Sequence, residues 1–290
     1  MAEQLQTIQR RIKSIESTEK ITNAMQLVAA ARLKQSTKRF NYSKEHLESM
    51  TQLFKDAIHA SGADTTAEPD RAKKEDVPSL TVVITGSKGM CGSYNSSIIH
   101  EMDRVESETL FLPLGSKGYE HIKAHKLPLL YEPKEAMGNI TYEEFYAMPP
   151  DDHSYMDIYN LVKDIQDKQR QGVIGEINLI FAAYKNSITY EVVNRLITPV
   201  YNTQEKPEIE PIIDEYTALS IYGAISESAL NEYGARRLAM KNASDNAEEM
   251  LATLEMQYHR ARQEDITNEL IEIISGTDSQ RNLEEEKKKG

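Results

Sequence analysis

The sequence of 290 residues has one cysteine, no tryptophan and no long apolar run. A single cysteine, Cys91, excludes an intramolecular disulfide and a two-thiol redox switch, so we expect a reducing compartment. No stretch of about 18 apolar residues occurs, which predicts that no segment spans a membrane. The opening residues, MAEQLQTIQRR, lack the apolar core and cleavage site of a signal peptide. These absences favour a soluble protein, and 290 residues with 39% hydrophobic content can form one medium or two small domains.

Glycine and proline are scarce near both ends of the chain, and this predicts two long helices. Residues 3–57 contain neither, and residues 220–275 contain no proline and only two glycines. The first run has apolar residues at steps of three and four: Leu5, Ile8, Ile12 and Ile15. The second run has a similar stripe: Ile221, Ile225, Ala229, Tyr233, then Met250, Leu254, Tyr258, Ala261, and finally Ile266, Leu270 and Ile273.

Helices of this length cannot cover an apolar stripe with a small core. At about 1.5 Å per residue, the second run predicts a rod of roughly 80 Å. Such a stripe needs a partner helix or a sleeve made by other proteins. If both helices are attached to the same middle domain, one enters it and the other leaves it. We therefore expect the two helices to pair antiparallel.

The middle of the chain alternates between strand and helix patterns. Runs rich in β-branched and apolar residues predict strands at 79–86, 176–187 and 189–200, and a strand followed by a turn at 109–118. Helical patterns are found at 93–105, 119–125 and 154–171. The last two strands are joined by a tight Asn-Ser turn, which indicates a hairpin. Strands alternating with helices predict a small α/β domain, and the hairpin makes its sheet mixed.

These patterns divide the chain into four parts. We predict an N-terminal coiled-coil helix over residues 1–60 and an α/β domain over 61–211, with a polar linker or loop at 61–78. A C-terminal coiled-coil helix is expected over 212–280, and a charged tail at 281–290 is expected to be frayed or solvated. The fold class is therefore α+β or α/β.

The charge is unevenly distributed along the chain. The net charge is −12, yet residues 1–40 carry eight cationic and three acidic side chains, a net of +5 that leaves −17 for the rest. A basic helix on an acidic protein indicates an acidic partner surface. Nucleic-acid binding is the alternative, although the basic helix lacks interleaved aromatic residues. Retention on heparin that collapses with salt would favour that alternative.

Two glycine turns follow strands, and such turns can hold phosphate at a helix N-terminus. They read TGSKGMCGSYN (85–95) and LGSKGYEH (114–121), and neither has the spacing of a P-loop or of a dinucleotide site. A tight strand-to-helix turn accounts for them better. A small nucleotide-binding enzyme remains an alternative, which a thermal shift of the isolated chain with ATP would favour.

No chemical site emerges from the remaining residues. His121 and His125 are four apart on a predicted helix, but no further ligands accompany them. Cys91 has no histidine partner in a recognisable arrangement. We therefore expect no catalytic residues, no cofactor and no metal. The chain has the character of a part of a larger assembly.

Four segments resemble the gamma subunit of F-type ATP synthase. They are IQRRIKSIESTEKITNAMQLVAAARLK (8–34), ITGSKGMCGSYNSSII (84–99), ARRLAMKNASDNAEEM (235–250) and YHRARQEDITNELIEIISG (258–276). Four matches in the right order, at both ends and in the middle, identify the chain as a member of that family. The resemblance implies an antiparallel coiled coil of the terminal helices and a small Rossmann-like α/β domain.

The resemblance also implies a function and partners. The family forms the central rotor shaft, which transmits rotation of the membrane c-ring to the catalytic beta subunits and so couples proton or sodium flow to ATP synthesis. The implied partners are three alpha and three beta subunits, the epsilon subunit and the c-ring, with no nucleic acid and no membrane insertion. The implied location is peripheral, on the cytoplasmic side of the bacterial plasma membrane.

Contact positions are carried over from the family motifs. The resemblance implies that the positions matching those that touch the beta-subunit catch loop are Arg262, Gln263, Thr267 and Glu269. Those at or near the acidic lever of the beta subunit are Lys20, Met25, Lys88, Cys91 and Arg236. Ile209 and Glu210 match the loop that meets the c-ring and epsilon, although the tyrosine common before that glutamate is missing here.

Overall fold

The computed structural model describes residues 2–60, 77–105, 108–186, 189–198 and 209–289. Its helices are α1 (Ala2–Ala60), α2 (Tyr94–Met102), α3 (Ser116–His125), α4 (Tyr142–Ala147), α5 (Tyr155–Arg170) and α6 (Glu210–Lys289). Its strands are β1 (Ser79–Ile84), β2 (Thr109–Leu114), β3 (Ala136–Met137), β4 (Ile140–Thr141), β5 (Ile177–Tyr184) and β6 (Tyr190–Thr198). A short 3₁₀ turn, Pro150–Asp152, precedes α5.

The chain forms two compact units. The helical unit comprises Met1–Gln26 and Met240–Gly290, and the α/β unit comprises Leu27–Ala239. Both long helices contribute residues to each unit. The α/β unit therefore includes the second part of α1 and the first part of α6 along with the sheet.

A mixed four-stranded sheet forms the centre of the α/β unit, in the order β2-β1-β5-β6. Strand β1 pairs in parallel with β2 on one side and with β5 on the other. Strands β5 and β6 pair antiparallel, as expected for a hairpin. The predicted α/β domain with a mixed sheet is thus confirmed.

The two faces of the sheet bury separate apolar clusters. Leu80, Val82 and Ile84 of β1 face a cluster that includes residues of α4, α5 and α6, whereas Val83 faces a second cluster that includes α2. This alternation follows from the period of two along a strand. Because β1 is an interior strand and both of its faces are covered, its sequence is apolar with little interruption.

Local sequence signals fix the ends of several helices. In α5, the Ser154 side chain accepts the N–H of Asp157 while the Asp157 carboxylate accepts the N–H of Ser154, which is a capping box. At the start of α3, Gly115 has φ +113°, and a Cβ there would lie 2.1 Å from the carbonyl oxygen of Thr85. Only glycine fits this close approach of the two strand ends.

The two long helices run antiparallel. In the helical unit, the Gln9 side chain donates to the Tyr258 hydroxyl at 2.9 Å, and the hydroxyls of Thr22 and Ser244 bond at 2.7 Å. Later residues of α1 thus face earlier residues of α6, which confirms the predicted pairing. The buried seam of α6 passes through Ala247, and Met250, which the predicted stripe included, is instead 55% exposed.

The structure differs from the sequence prediction in several elements. Helix α4 and the short β3–β4 hairpin lie where only a loop was expected. Helix α6 begins at Glu210, with Pro211 in its first turn, where proline is tolerated. Its backbone is helical to Lys289 and so includes most of the charged segment 281–290, for which a frayed or solvated end stays a prediction. Most of the predicted linker, residues 61–76, lies outside the described residues.

Candidate functional site

The loop between β1 and α2, residues 86–92, follows the carboxyl end of β1 and is bonded by side chains of α2 and α6; we call it the glycine loop. The Asn95 side chain accepts the N–H of Gly86 at 2.8 Å and donates to the carbonyl of Lys88 at 3.3 Å. A Cβ at position 86 would lie 2.8 Å from the carboxyl carbon of Glu232 on α6. Glycine at 86 therefore allows α6 to bring a carboxylate against the loop.

A buried ion pair on α6 contacts this loop. The Arg236 guanidinium lies 2.6 Å from the Glu232 carboxylate, and both side chains are almost fully buried. The same guanidinium donates to the carbonyls of Lys88 at 3.1 Å and of Gly89 at 3.3 Å. Burial raises the pKa of Glu232, and the charge of Arg236 opposes that shift. The buried guanidinium is thus satisfied by the Glu232 carboxylate and by two carbonyls of the loop.

The predicted lever contacts of the α/β unit separate into exposed and buried residues. Lys88 is exposed on the loop. Cys91 is buried beneath it, and burial raises the pKa of its thiol, so a reactive thiolate is disfavoured. Arg236 is also buried, and its donors are used within the chain. Only Lys88 of these three presents its side chain to solvent.

The loop also exposes a residue that the sequence did not single out. Met90 is 64% exposed and has φ +60°, a left-handed conformation that is uncommon for a residue with a side chain. Strain of this kind persists only where surrounding contacts fix the backbone. No sequence signal identifies Met90, because a backbone angle of this kind is not evident from residue type.

In the helical unit, the remaining predicted contacts lie along both helices. Lys20 is exposed on α1, and Met25 is half-buried. The four predicted catch residues, Arg262, Gln263, Thr267 and Glu269, are all exposed on α6. The Thr267 hydroxyl donates to the carbonyl of Gln263 at 2.7 Å within the helix. The exposed side chains are available to a partner surface.

The residues predicted to meet the c-ring and epsilon lie at the start of α6. Ile209 directly precedes the helix and is half-buried. A carboxylate oxygen of Glu210, the first helical residue, lies 3.7 Å from the guanidinium of Arg170 on α5. Arg170 also lies 2.6 Å from Asp214. Ion pairs with Arg170 thus connect the start of α6 to α5.

Arg39 on α1 is a connecting residue that sequence reasoning missed. Its guanidinium donates to the Tyr222 hydroxyl of α6 at 2.8 Å and to the carbonyls of Asp151 and His153 in the turn before α5. The Tyr233 hydroxyl donates to the Asp151 carboxylate at 2.8 Å. These bonds join both long helices to one turn of the α/β unit. In the sequence, Arg39 is merely one of several cations on α1.

Several backbone donors of the two turns considered for phosphate binding are used internally. The N–H of Gly118 donates to the Thr85 hydroxyl at 2.8 Å, and that of Lys117 donates to the carbonyl of Gly86 at 3.3 Å. The N–H of Gly86 is bonded to Asn95. These amides stabilise the contact between the two turns, so they do not form an open cradle for phosphate.

His121 and His125 stack with their ring centroids 4.0 Å apart, and His121 contacts Asp103 at 2.8 Å. In the part of the chain that the structure describes, no group of three or more His, Cys, Asp or Glu side chains is arranged to hold a metal ion. Among the same residues, no helix combines the length and the apolar character needed to cross a membrane.

Solved structures with a similar fold define the class of protein. A chain of the Tetrahymena thermophila mitochondrial ATP synthase central stalk and c-ring structure matches with a TM-score of 0.56 and 25% identity, covering 77% of this chain and 99% of that one. A chain of the Euglena gracilis mitochondrial ATP synthase matches with a TM-score of 0.67 and 15% identity, covering 96% and 95%. The fold is that of the central-stalk proteins of ATP synthases.

Sequence comparison then gives the family. A family model described as ATP synthase matches residues 4–279. The ATP synthase gamma chain of Campylobacter curvus is 31% identical over 303 aligned residues, covering 95% of this chain and 98% of the relative. That of Fusobacterium nucleatum is 28% identical, covering 94% and 98%. The chain belongs to the ATP synthase gamma-chain family, and its role is that of a non-catalytic, central-stalk rotor subunit.

Proposed function

We propose that this chain transmits rotation of a membrane c-ring to the catalytic beta subunits of an ATP synthase, coupling proton or sodium flow to ATP synthesis and the reverse. Its partners would be three alpha and three beta subunits, the epsilon subunit and the c-ring. The complex would lie on the cytoplasmic side of a bacterial plasma membrane. ATP would be made on the beta subunits, and this chain would act mechanically.

The observation that carries this proposal is the uncovered apolar end of α6. Since Gln9 is level with Tyr258, the first turn of α1 is level with about residue 265 of α6 at equal rise per residue. Beyond that point no described residue of α1 lies opposite α6. The large apolar side chains there are exposed: Ile266, Leu270, Ile271, Ile273 and Ile274. Such a stripe is stabilised by an apolar sleeve, which a ring of alpha and beta subunits would supply.

We assign the contacts according to their exposure. Arg262, Gln263, Thr267 and Glu269 would meet the catch loop of the beta subunit. The cations Lys20 and Lys88 would meet its acidic lever, and the basic character of the first 40 residues supports an acidic counterpart. Met25, Cys91 and Arg236 would act by shaping these surfaces. Ile209 and Glu210 would contribute to the foot, next to the c-ring and epsilon.

Individual ionic contacts should each contribute little. An exposed ion pair is worth about 0–1 kcal/mol, so torque would be spread over many contacts. Replacing Lys20 or Arg262 alone with alanine should lower the ratio of ATP-driven proton pumping to ATP hydrolysis only modestly. Complete loss of coupling from either change would contradict a distributed contact.

The proposal is tested by purifying this chain from detergent-extracted native membranes. We expect one copy with three copies each of two large nucleotide-binding subunits, and ATPase activity that is lost when the complex dissociates. Subunit stoichiometry and ATPase activity should be measured on the same sample. Recovery of the chain alone, or with nucleic acid, would overturn the proposal.

A further inference from the structure

The glycine loop (residues 86–92) combines two features that require an external restraint. It is exposed at Lys88 and Met90, and its backbone is left-handed at Met90. A strained, solvent-facing loop would relax to other conformations unless other contacts held it. The bonds from Asn95 hold its beginning, at Gly86 and Lys88.

The restraint on the loop's middle comes from α6. The Arg236 guanidinium donates to two consecutive carbonyls, those of Lys88 and Gly89, which directly precede the strained residue. Glu232 fixes that guanidinium at 2.6 Å, and its own carboxyl group lies against Gly86, where a Cβ would be 2.8 Å away. The pair therefore contacts the loop at three residues and holds it against one helix face.

We propose that Glu232 and Arg236 form a latch that holds the glycine loop in the conformation presenting Lys88 and Met90 to an acidic surface of a catalytic subunit. Neither latch residue touches that surface; they are positioning residues, and Lys88 and Met90 make the contact. The role of the latch depends on the proposed rotor function, whereas its contacts lie entirely within the α/β unit. Met90 would place its flexible side chain on apolar surface beside the acidic groups.

The test uses the assembled ATP synthase in inverted membrane vesicles, with variants Arg236→Ala and Gly86→Ala. The first removes the donors to the loop, and the second forces the Glu232 carboxyl group away from its place without touching the arginine. Arg237→Ala is the matched control, because it removes an exposed arginine from the same turn of α6. Two quantities are measured: hydrogen exchange of the amides of residues 86–92, and protons pumped per ATP hydrolysed.

For both latch variants we expect loop exchange to rise about tenfold or more, since charge-assisted hydrogen bonds that close the loop are lost. The pumping ratio should fall about two- to fivefold while ATP hydrolysis continues, because a mobile loop transmits force poorly. Arg237→Ala should leave loop exchange unchanged. If Arg236→Ala does not assemble, Glu232→Gln supplies the same test, since it removes the charge partner and keeps an acceptor.

Two results would overturn the proposal. Unchanged loop exchange in the latch variants would show that the pair does not restrain the loop. Faster hydrogen exchange of the loop with an unchanged pumping ratio would show that restraint of the loop is not needed for its contact with the catalytic subunit. Failure of the rotor function itself would be distinguishable, because the unmodified complex would then lack this chain or would not pump.

A double-mutant cycle tests the direct contact between Gly86 and Glu232. In the unmodified background Gly86→Ala should raise loop exchange strongly. In a Glu232→Ala background only the Asn95 side-chain oxygen, 3.1 Å from that Cβ, stays close, and the same change should raise exchange much less. Additive effects of the two changes would contradict the contact.

Discussion

Replacing Ile266, Leu270 and Ile273 together with serine should destabilise the complex without destabilising the chain. These side chains are 46%, 55% and 65% exposed on the end of α6. Since they contribute little to packing inside the chain, the thermal midpoint of the isolated chain should change by less than a few degrees. Binding to a sleeve of alpha and beta subunits should be weakened.

The size of that effect follows from the area left to bury. Full burial of a leucine or isoleucine side chain contributes about 1.5–3 kcal/mol. Roughly half of each of the three side chains is still exposed, so a sleeve would gain about 1 kcal/mol from each and about 3 kcal/mol in all. This corresponds to a weakening of about 100-fold in the dissociation constant.

The assay is reconstitution of the chain with alpha and beta subunits alone, followed by dilution and native mass spectrometry. The control is a triple serine variant at Leu53, Met156 and Val173, which are comparably exposed in the α/β unit. The control should bind like the unmodified chain. A large loss of thermal stability in the test variant, or dissociation equal to that of the control, would refute the reasoning.

Three further changes test the fold and its titration. Gly115→Ala should lower the free energy of unfolding, measured in urea, by more than about 3 kcal/mol, because the φ of +113° and the Thr85 carbonyl exclude a side chain. A small decrease would contradict the close packing of the two strand ends. Gly234→Ala should raise the free energy of unfolding by about 0.5–1 kcal/mol, since a Cβ there meets only Leu33 at 4.0 Å. A decrease would indicate a contact that requires glycine. Burial lowers the pKa of His153 from 6.5 to about 4, so protonation favours the unfolded chain. The free energy of unfolding should fall by up to about 3 kcal/mol as the pH drops from about 6.5 to about 4. His153→Gln should reduce that fall. If the variant has the same pH profile as the unmodified chain, His153 is not buried in its neutral form.

Strands and long helices were predictable because their signals are local. The β-branched run of β1 and the hairpin of β5 and β6 are predicted from a few neighbouring residues. Antiparallel pairing of α1 and α6 followed from their attachment to one domain. Helix α4 was missed because it has only six residues, although the Thr141 and Glu144 of its capping box were present in the sequence.

The candidate site was less predictable because its contacts are distant in sequence. Family resemblance placed Arg236 among the contact positions, but its burial depends on a loop almost 150 residues earlier in the chain. Nothing local distinguishes Arg236 from its exposed neighbour Arg237. Likewise, Met250 fitted the apolar spacing of α6, but burial follows the series Ser244, Ala247 and Leu251, and Met250 lies one position off it.

The close approach of Gly86 to Glu232 has an evolutionary consequence. A residue with a Cβ at position 86 requires the carboxyl group at 232 to move, and loss of that carboxylate leaves Arg236 buried without its partner. The three positions should therefore change together among relatives. Where position 232 becomes alanine or serine, position 86 should be free to depart from glycine, and position 236 should lose its positive charge.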